Sequence, residues 1–242
     1  IMEPASQSML LLPYQEQDIP EKWRGKETIP YDPDKANELL DAAGYEKNAD
    51  GWRVDDEGRP LSFVFSVQAG WMDIIAMADV VVRNAKDVGV QVKMVTTDPN
   101  AVDGMQRSGN FDMVVDFVGG GCQRSRDLGA RLQSSQISHD KELLLNRARY
   151  SNPEIDALID EWANVTDPAR AKEIEERVID VFMTEFPYIA LQYAPSRLIY
   201  RTENAVGWPS EDDPYPVDQL IRLASELRPA DDAEASTGTG ED

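Results

Sequence analysis

Histidine and cysteine, the side chains that most often carry catalysis or hold a metal, occur once each in these 242 residues, at His139 and Cys122. A single cysteine rules out an intrachain disulfide, a CxxC pair and a cysteine-rich zinc site. A single histidine rules out a two-histidine metal site, and a Ser-His-Asp triad would have to be built on His139, which lies in no catalytic signature. The expected roles are a small buried apolar Cys122 and a loop His139, with no catalytic residue, no metal site and no cofactor. Carboxylates are abundant, and a pair of them about 5 to 9 Å apart could cleave a glycoside. No acid here has an evident apolar setting that would raise its pKa for that work. The turn that carries Trp71 and the run Gly119, Gly120 and Gly121 offer something else, an aromatic ring and a backbone open to close approach.

The elements that must position these residues alternate. Asp32 and Pro33 supply an N-cap and a first helical position, Ala36, Leu39, Leu40 and Ala43 form an apolar face, and Gly44 ends the helix. After the polar turns around Asn48–Asp56, which resemble a calcium loop only in their spaced oxygens, Leu61, Phe63, Phe65 and Val67 alternate as in a strand. Ile74 to Ala85 repeat at helical spacing up to Gly89, and Val90, Val92 and Met94 alternate again. A short helix is expected over 100–109 and a strand from Phe111 to Phe117. Strands alternating with helices imply an α/β body with a largely parallel sheet. Ligands in such sheets lie beyond the carboxyl ends of the strands, where the loops 68–71 and 117–125 fall.

Further along, 124–141 is expected to be rich in loops, and helices are expected after Asn152–Pro153 and after Asp167–Pro168. Strands are expected at 188–193 and 198–202, a last helix at 217–227, and an acidic disordered tail from 229 to 242. Residues 1–30 read as an extended segment over a surface. Trp52 and Trp162 read as structural.

With 41% apolar residues the chain can bury a core, and no run approaches a membrane span. Its 24 basic against 45 acidic residues give a formal charge of -21, which opposes binding to nucleic acid or an anionic lipid surface. The 16 Arg, 8 Lys and scattered acids fit either a surface adapted to high salt or an ordinary acidic secreted protein. Asn164, Val165 and Thr166 form a glycosylation sequon.

The segments YDPDKANELLDAAGY, DGWRVDDEGRPLSFVFSV, VGVQVKMV, SGNFDMVV, RYSNPEIDALIDEWANVTDPARAKEIEERV and FPYIALQYAPSRLIY follow one another in an order that carries a resemblance. Up to about Leu227 the chain resembles the family 5 extracellular solute-binding proteins, which capture peptides, nickel or oligosaccharides for ABC importers. The resemblance implies an α/β, class II periplasmic-binding-protein-like C-terminal lobe whose mixed, mostly parallel sheet is flanked by helices. It implies residues 31–202 as the lobe, 203–228 as a return segment, and a missing first lobe. It also implies an extracytoplasmic protein anchored through a missing N-terminal region, a small-molecule ligand, a membrane ABC permease as partner, and no enzymatic activity.

Peptide-binding members of the family carry a Trp and an Asp just after the strand equivalent to Phe111–Phe117, and the acid meets the peptide's amino terminus. This chain has Phe117, Val118, Gly119, Gly120 and Gly121 there, with Asp127 the next acid. The triple glycine, AGWMD around Trp71 and VGWPSEDDPYP around Trp208 look more like the branch that binds β-linked gluco- or manno-oligosaccharides. A sugar ring packs its C–H face on an aromatic and needs short polar groups or open backbone for its hydroxyls. The expected ligand residues are Trp71, Phe117, Gly119, Gly120, Gly121, Tyr150 and Trp208. Competing roles remain open: Trp71 packed in the core at a helix start, Trp208 ordering a loop, and Tyr150 capping a helix. An oligopeptide or nickel ligand keeps the same fold. A glycoside hydrolase, or a structural remnant that binds nothing, changes the class.

Overall fold

The structure, a computed structural model, describes residues 4–10, 16–117, 125–193, 200–210 and 224–230. Helix α1 (Pro33–Ala42) begins where Asp32 accepts the Lys35 N–H at 2.8 Å and Pro33 supplies a preset φ. The hairpin of β1 (Glu46–Lys47) and β2 (Arg53–Val54) follows. Its tip is an Asx turn in which Asn48 Oδ1 accepts from the N–H groups of Asp50 and Trp52 at 3.0 and 2.9 Å.

Strand β3 (Ser62–Gln68), helix α2 (Met72–Asp87), strand β4 (Gln91–Thr97), helix α3 (Pro99–Ser108) and strand β5 (Met113–Val114) form the layer that matters for function. The sheet order is β4-β3-β5 and both pairings are parallel, with Phe65 opposite Met94 on one side and Met113 on the other. Phe65, Val67, Ile74 and Ala78 are buried between sheet and helix. Gly89 turns the chain from α2 into β4 at φ +85°, and a Cβ there would lie 2.6 Å from the Gly51 carbonyl oxygen. Gly89→Ala is therefore expected to cost about 2 kcal/mol, read as a lower urea midpoint at unchanged slope.

A second core lies under α5 (Pro153–Asn164) and α6 (Pro168–Thr184), reached through the one-turn helix α4 (Ala130–Leu132) and short helical turns on either side of it. Asn152 and Asp167 cap the two long helices through the N–H groups of Glu154 and Ala169. Ile155, Ile159 and Trp162 of α5 meet Ile174, Val178 and Phe182 of α6 in this core.

Within 1–30, expected as an extended segment over a surface, most of the described residues from 21 onward are exposed, but several earlier ones are not. Ser6, Gln7, Ser8, Leu10 and Ile19 are buried. Polar side chains conceal this in the sequence because each finds a partner inside. The Ser6 and Ser8 hydroxyls bond one another at 2.6 Å. Gln7 Nε2 donates to the carbonyls of Phe182 and Tyr188 at 2.9 and 2.6 Å, while its Oε1 accepts from the Ala190 N–H at 3.0 Å. The same bonds explain why 188–193 is not a strand. Side chains bond that stretch, and among the described residues its strand pairing is a single bridge between Gln192 and Pro4, with the Ala5 N–H bonded to the Leu191 carbonyl. The strand expected over Phe111–Phe117 shortens to Met113–Val114, since pairing with β3 extends no further.

By contacts the chain divides into two units, the first ending at Tyr193. In the second, β6 (Ala205–Val206) and β7 (Arg228–Pro229) pair antiparallel. Residues 200–202 are not a strand, and of the expected last helix only 224–227 are described, with 224–226 as one helical turn. Pro229, the first residue of the expected tail, is paired with Ala205. Residues 231–242 lie outside the described residues. No helix among the described residues is long and apolar enough to cross a membrane.

Candidate functional site

Strands β3 and β5 are neighbours and run the same way, so the loops that leave their carboxyl ends start side by side. After β3 the chain turns at Gly70, φ +89°, and Trp71 takes the N-cap position of α2. Ser, Thr, Asp and Asn are the usual occupants of that position, because they can bond a free N–H of the first turn. Trp71 makes no such bond, and Ile74 takes its side-chain partner from Asp73 instead. The indole is 42% exposed. Phe117, just past β5, is 44% exposed, and the two ring centroids are 4.9 Å apart with the planes tilted by 50°. Two large apolar rings thus share one exposed patch at the end of a parallel sheet, with Met72 beside them 73% exposed.

Beneath this patch lies a cluster that the sequence reading missed. Asp116 folds back to accept the Phe117 N–H at 2.8 Å. Its Oδ2 accepts from Arg131 at 3.2 Å and its Oδ1 from Arg147. Arg131 also donates to the Phe117 carbonyl at 3.3 Å and lies 5.9 Å from the centre of the Tyr188 ring. The side chains of Asp116 and Arg131 are 9% and 6% exposed, that of Arg147 23%. The signal that could have found the cluster is an acid, Asp116, closing the apolar run from Met113 to Val115, since an acid at the end of a core strand needs a cationic partner.

Tyr188 completes the cluster. Its hydroxyl accepts from the N–H groups of Arg147 and Ala148 and donates to the Leu145 carbonyl. Burial pushes its pKa above the usual 10.0, and the negative charge of Asp116 adds to the rise. An unfolded chain loses this proton near the usual value while the folded protein keeps it. The resulting stability is complete below about pH 10 and is lost as the pH climbs toward the folded value. Tyrosinate absorbance on alkaline titration is expected to show a late-ionising component that Tyr188→Phe reduces.

The remaining expected ligand residues are Gly119, Gly120, Gly121, Tyr150 and Trp208. Gly119, Gly120, Gly121 and Cys122 lie outside the described residues. Tyr150 packs on the helical core and donates its hydroxyl to Glu185 Oε2 at 2.8 Å. Trp208, in the second unit, stacks on Tyr200 with centroids 4.7 Å apart and donates to the Ala205 carbonyl. His139 is in a loop, bridged to Glu142 through backbone bonds. Among the described residues no group of three or more His, Cys, Asp or Glu is placed to hold a metal ion.

Residues 6–133 match the family described as bacterial extracellular solute-binding proteins, family 5, middle part. The chain belongs to that family. Among solved family 5 structures, it is similar to a periplasmic oligopeptide-binding protein of Thermotoga maritima crystallised with mannohexaose. That likeness has a TM-score of 0.82 at 23% identity and covers 94% of this chain and 45% of that one. Among curated family 5 proteins it is 26% identical over 179 residues to the oligopeptide-binding protein AppA of Bacillus subtilis, covering 74% of this chain. It is 22% identical over 173 residues to the nickel-binding periplasmic protein of Escherichia coli, covering 72% of this chain. This chain spans 32% of the length of each of those two family relatives. The parallel sheet flanked by helices is the periplasmic-binding-protein-like fold of the family.

Proposed function

We propose that this chain is part of the solute-capturing component of an ABC importer, working outside the cytoplasmic membrane with a membrane permease as partner, and that its ligand is a short oligosaccharide. The observation that carries the choice of ligand is the pair Trp71 and Phe117, two rings more than 40% exposed and 4.9 Å apart at the carboxyl ends of neighbouring parallel strands. A platform of this kind suits the C–H faces of consecutive sugar rings. Gly119, Gly120 and Gly121, next in the chain, would let ligand hydroxyls reach backbone groups. The Thermotoga relative crystallised with mannohexaose supports the same choice. A peptide would bring an ammonium group needing an acid, and Asp116, the acid beside Phe117, is already paired with two guanidinium groups. The Tyr150 hydroxyl is bonded to Glu185 and Trp208 stacks on Tyr200, and neither residue is used in this reading.

Isothermal titration of the full-length protein with mannohexaose, cellohexaose and a series of di- to pentapeptides tests the proposal. Saturable heat from one of the hexaoses and none from the peptides is expected. Binding of peptides alone sinks the choice of ligand, and turnover of either hexaose sinks the assignment as a binding protein.

A further inference from the structure

Two arginines and one aspartate packed together are a poor arrangement for stability. The cluster is nearly dry at Asp116 and Arg131, it holds one more positive than negative charge, and the Nε atoms of Arg131 and Arg147 are buried without a hydrogen-bond partner. Each buried donor left without an acceptor costs free energy, and buried ion pairs of this kind are often matched or bettered by apolar side chains of similar size. Local rules broken without a gain in stability concentrate where function requires a particular geometry.

The geometry here concerns Phe117. Its backbone is held on both sides: the N–H donates to Asp116 Oδ1, and the carbonyl accepts from Arg131 at 3.3 Å. Strand pairing cannot do this job, because the last residue of β5 in register with β3 is Val114, three residues before Phe117. Arg131 belongs to α4 and Arg147 to the loop before α5, and Arg147 is joined in turn to Tyr188 beyond α6. The guanidinium forks therefore tie the free end of β5 to the helical core and leave the Phe117 ring facing Trp71. We infer that Asp116, Arg131 and Arg147 are positioning residues that fix Phe117 against Trp71, so that the two rings form one rigid platform before any ligand arrives. This rests on the oligosaccharide reading only for its consequence, a ligand that meets a platform already in place instead of ordering a loose ring on arrival.

Fluorine NMR of the full-length protein grown on 5-fluorotryptophan reads the platform without a ligand. The Trp71 resonance is assigned with Trp71→Phe, and Phe117→Leu shows where it moves when the neighbouring ring is lost. Replacing the cluster as a whole, with Asp116→Leu, Arg131→Met and Arg147→Met together, strands no buried charge. The melting temperature is expected to stay level or rise while the Trp71 resonance moves to, or broadens toward, its Phe117→Leu position. Arg131→Lys keeps the charge but removes the fork that reaches both Asp116 and the Phe117 carbonyl, and is expected to move the resonance the same way in a folded protein. If the triple variant fails to fold, Arg131→Lys decides the matter alone. A Trp71 resonance that stays in place in a folded variant overturns the inference. Where the parent protein binds mannohexaose, these variants are expected to bind it roughly tenfold more weakly, the scale of re-ordering a freed side chain. A parent that does not bind mannohexaose defeats the oligosaccharide reading, and the ligand-free resonance still decides the positioning role.

Discussion

Replacing Arg53 with methionine is expected to destabilise the first unit by about 3 kcal/mol, the largest single loss among the changes considered. The side chain is 2% exposed, and its guanidinium donates in three directions. Nε reaches the Val88 carbonyl at 3.1 Å, one terminal nitrogen reaches Asp41 and the Tyr45 carbonyl, and the other reaches Asn37 Oδ1 at 2.6 Å. One residue of β2 thereby joins the middle of α1 to the end of α2. The size of the loss comes from the carbonyls and not from the ion pair. The Asp41 side chain is 64% exposed and returns to water when its partner goes, whereas inner acceptors that lose their donor cost about 1–3 kcal/mol each. For a unit of this size the melting temperature is expected to fall by roughly 6–12 °C. Arg53→Lys should recover less than half of it, because a single ammonium cannot meet acceptors on three sides. Calorimetry of both variants checks this, and a methionine variant that melts with the parent would show the guanidinium to be replaceable by apolar bulk.

Trp71→Ala is expected to act in the opposite way, leaving the fold almost unchanged and weakening binding. The indole is 42% exposed and makes no capping bond, so its loss should change folding stability by less than about 1 kcal/mol. For an oligosaccharide lying on the ring, the loss of this aromatic is expected to cost about 2 kcal/mol of affinity, roughly 30-fold in Kd. Trp71→Phe keeps a flat apolar face and should retain most of the affinity. Titration with mannohexaose measures both. Equal affinity for parent and alanine variant would remove Trp71 from the site.

The parts of the fold that were legible in the sequence are those whose causes are local. Asp32–Pro33, Asn152–Pro153 and Asp167–Pro168 announce helix starts that cap as expected, and the alternation around Phe65 marks a strand buried against α2. The errors fall where long-range bonds replace local ones. Gln7, Ser6 and Ser8 look like surface residues until the carbonyls of Phe182 and Tyr188 supply their partners. Tyr188 to Tyr193 has the apolar content of a strand, but side chains and one bridge satisfy its backbone. At the site, the loops after Val67 and Phe117 were placed from the rule for parallel sheets, and the structure sets Trp71 against Phe117 there. Asp116, Arg131 and Arg147 were missed because they are up to 31 residues apart and belong to no local motif.

The buried stretch Ser6–Leu10 bears on how the chain is made. Apart from the Glu27 carbonyl that takes the Gln7 N–H, its partners outside the stretch are Phe182, Tyr188, Ala190 and Tyr193, which lie 175 to 187 residues downstream and are made only when nearly the whole unit has been synthesised. Closing a loop of that length comes late and makes folding slow. A unit whose N-terminal stretch finds its inner partners only at the far end of the chain is expected to stay loosely packed until nearly all of it has been made.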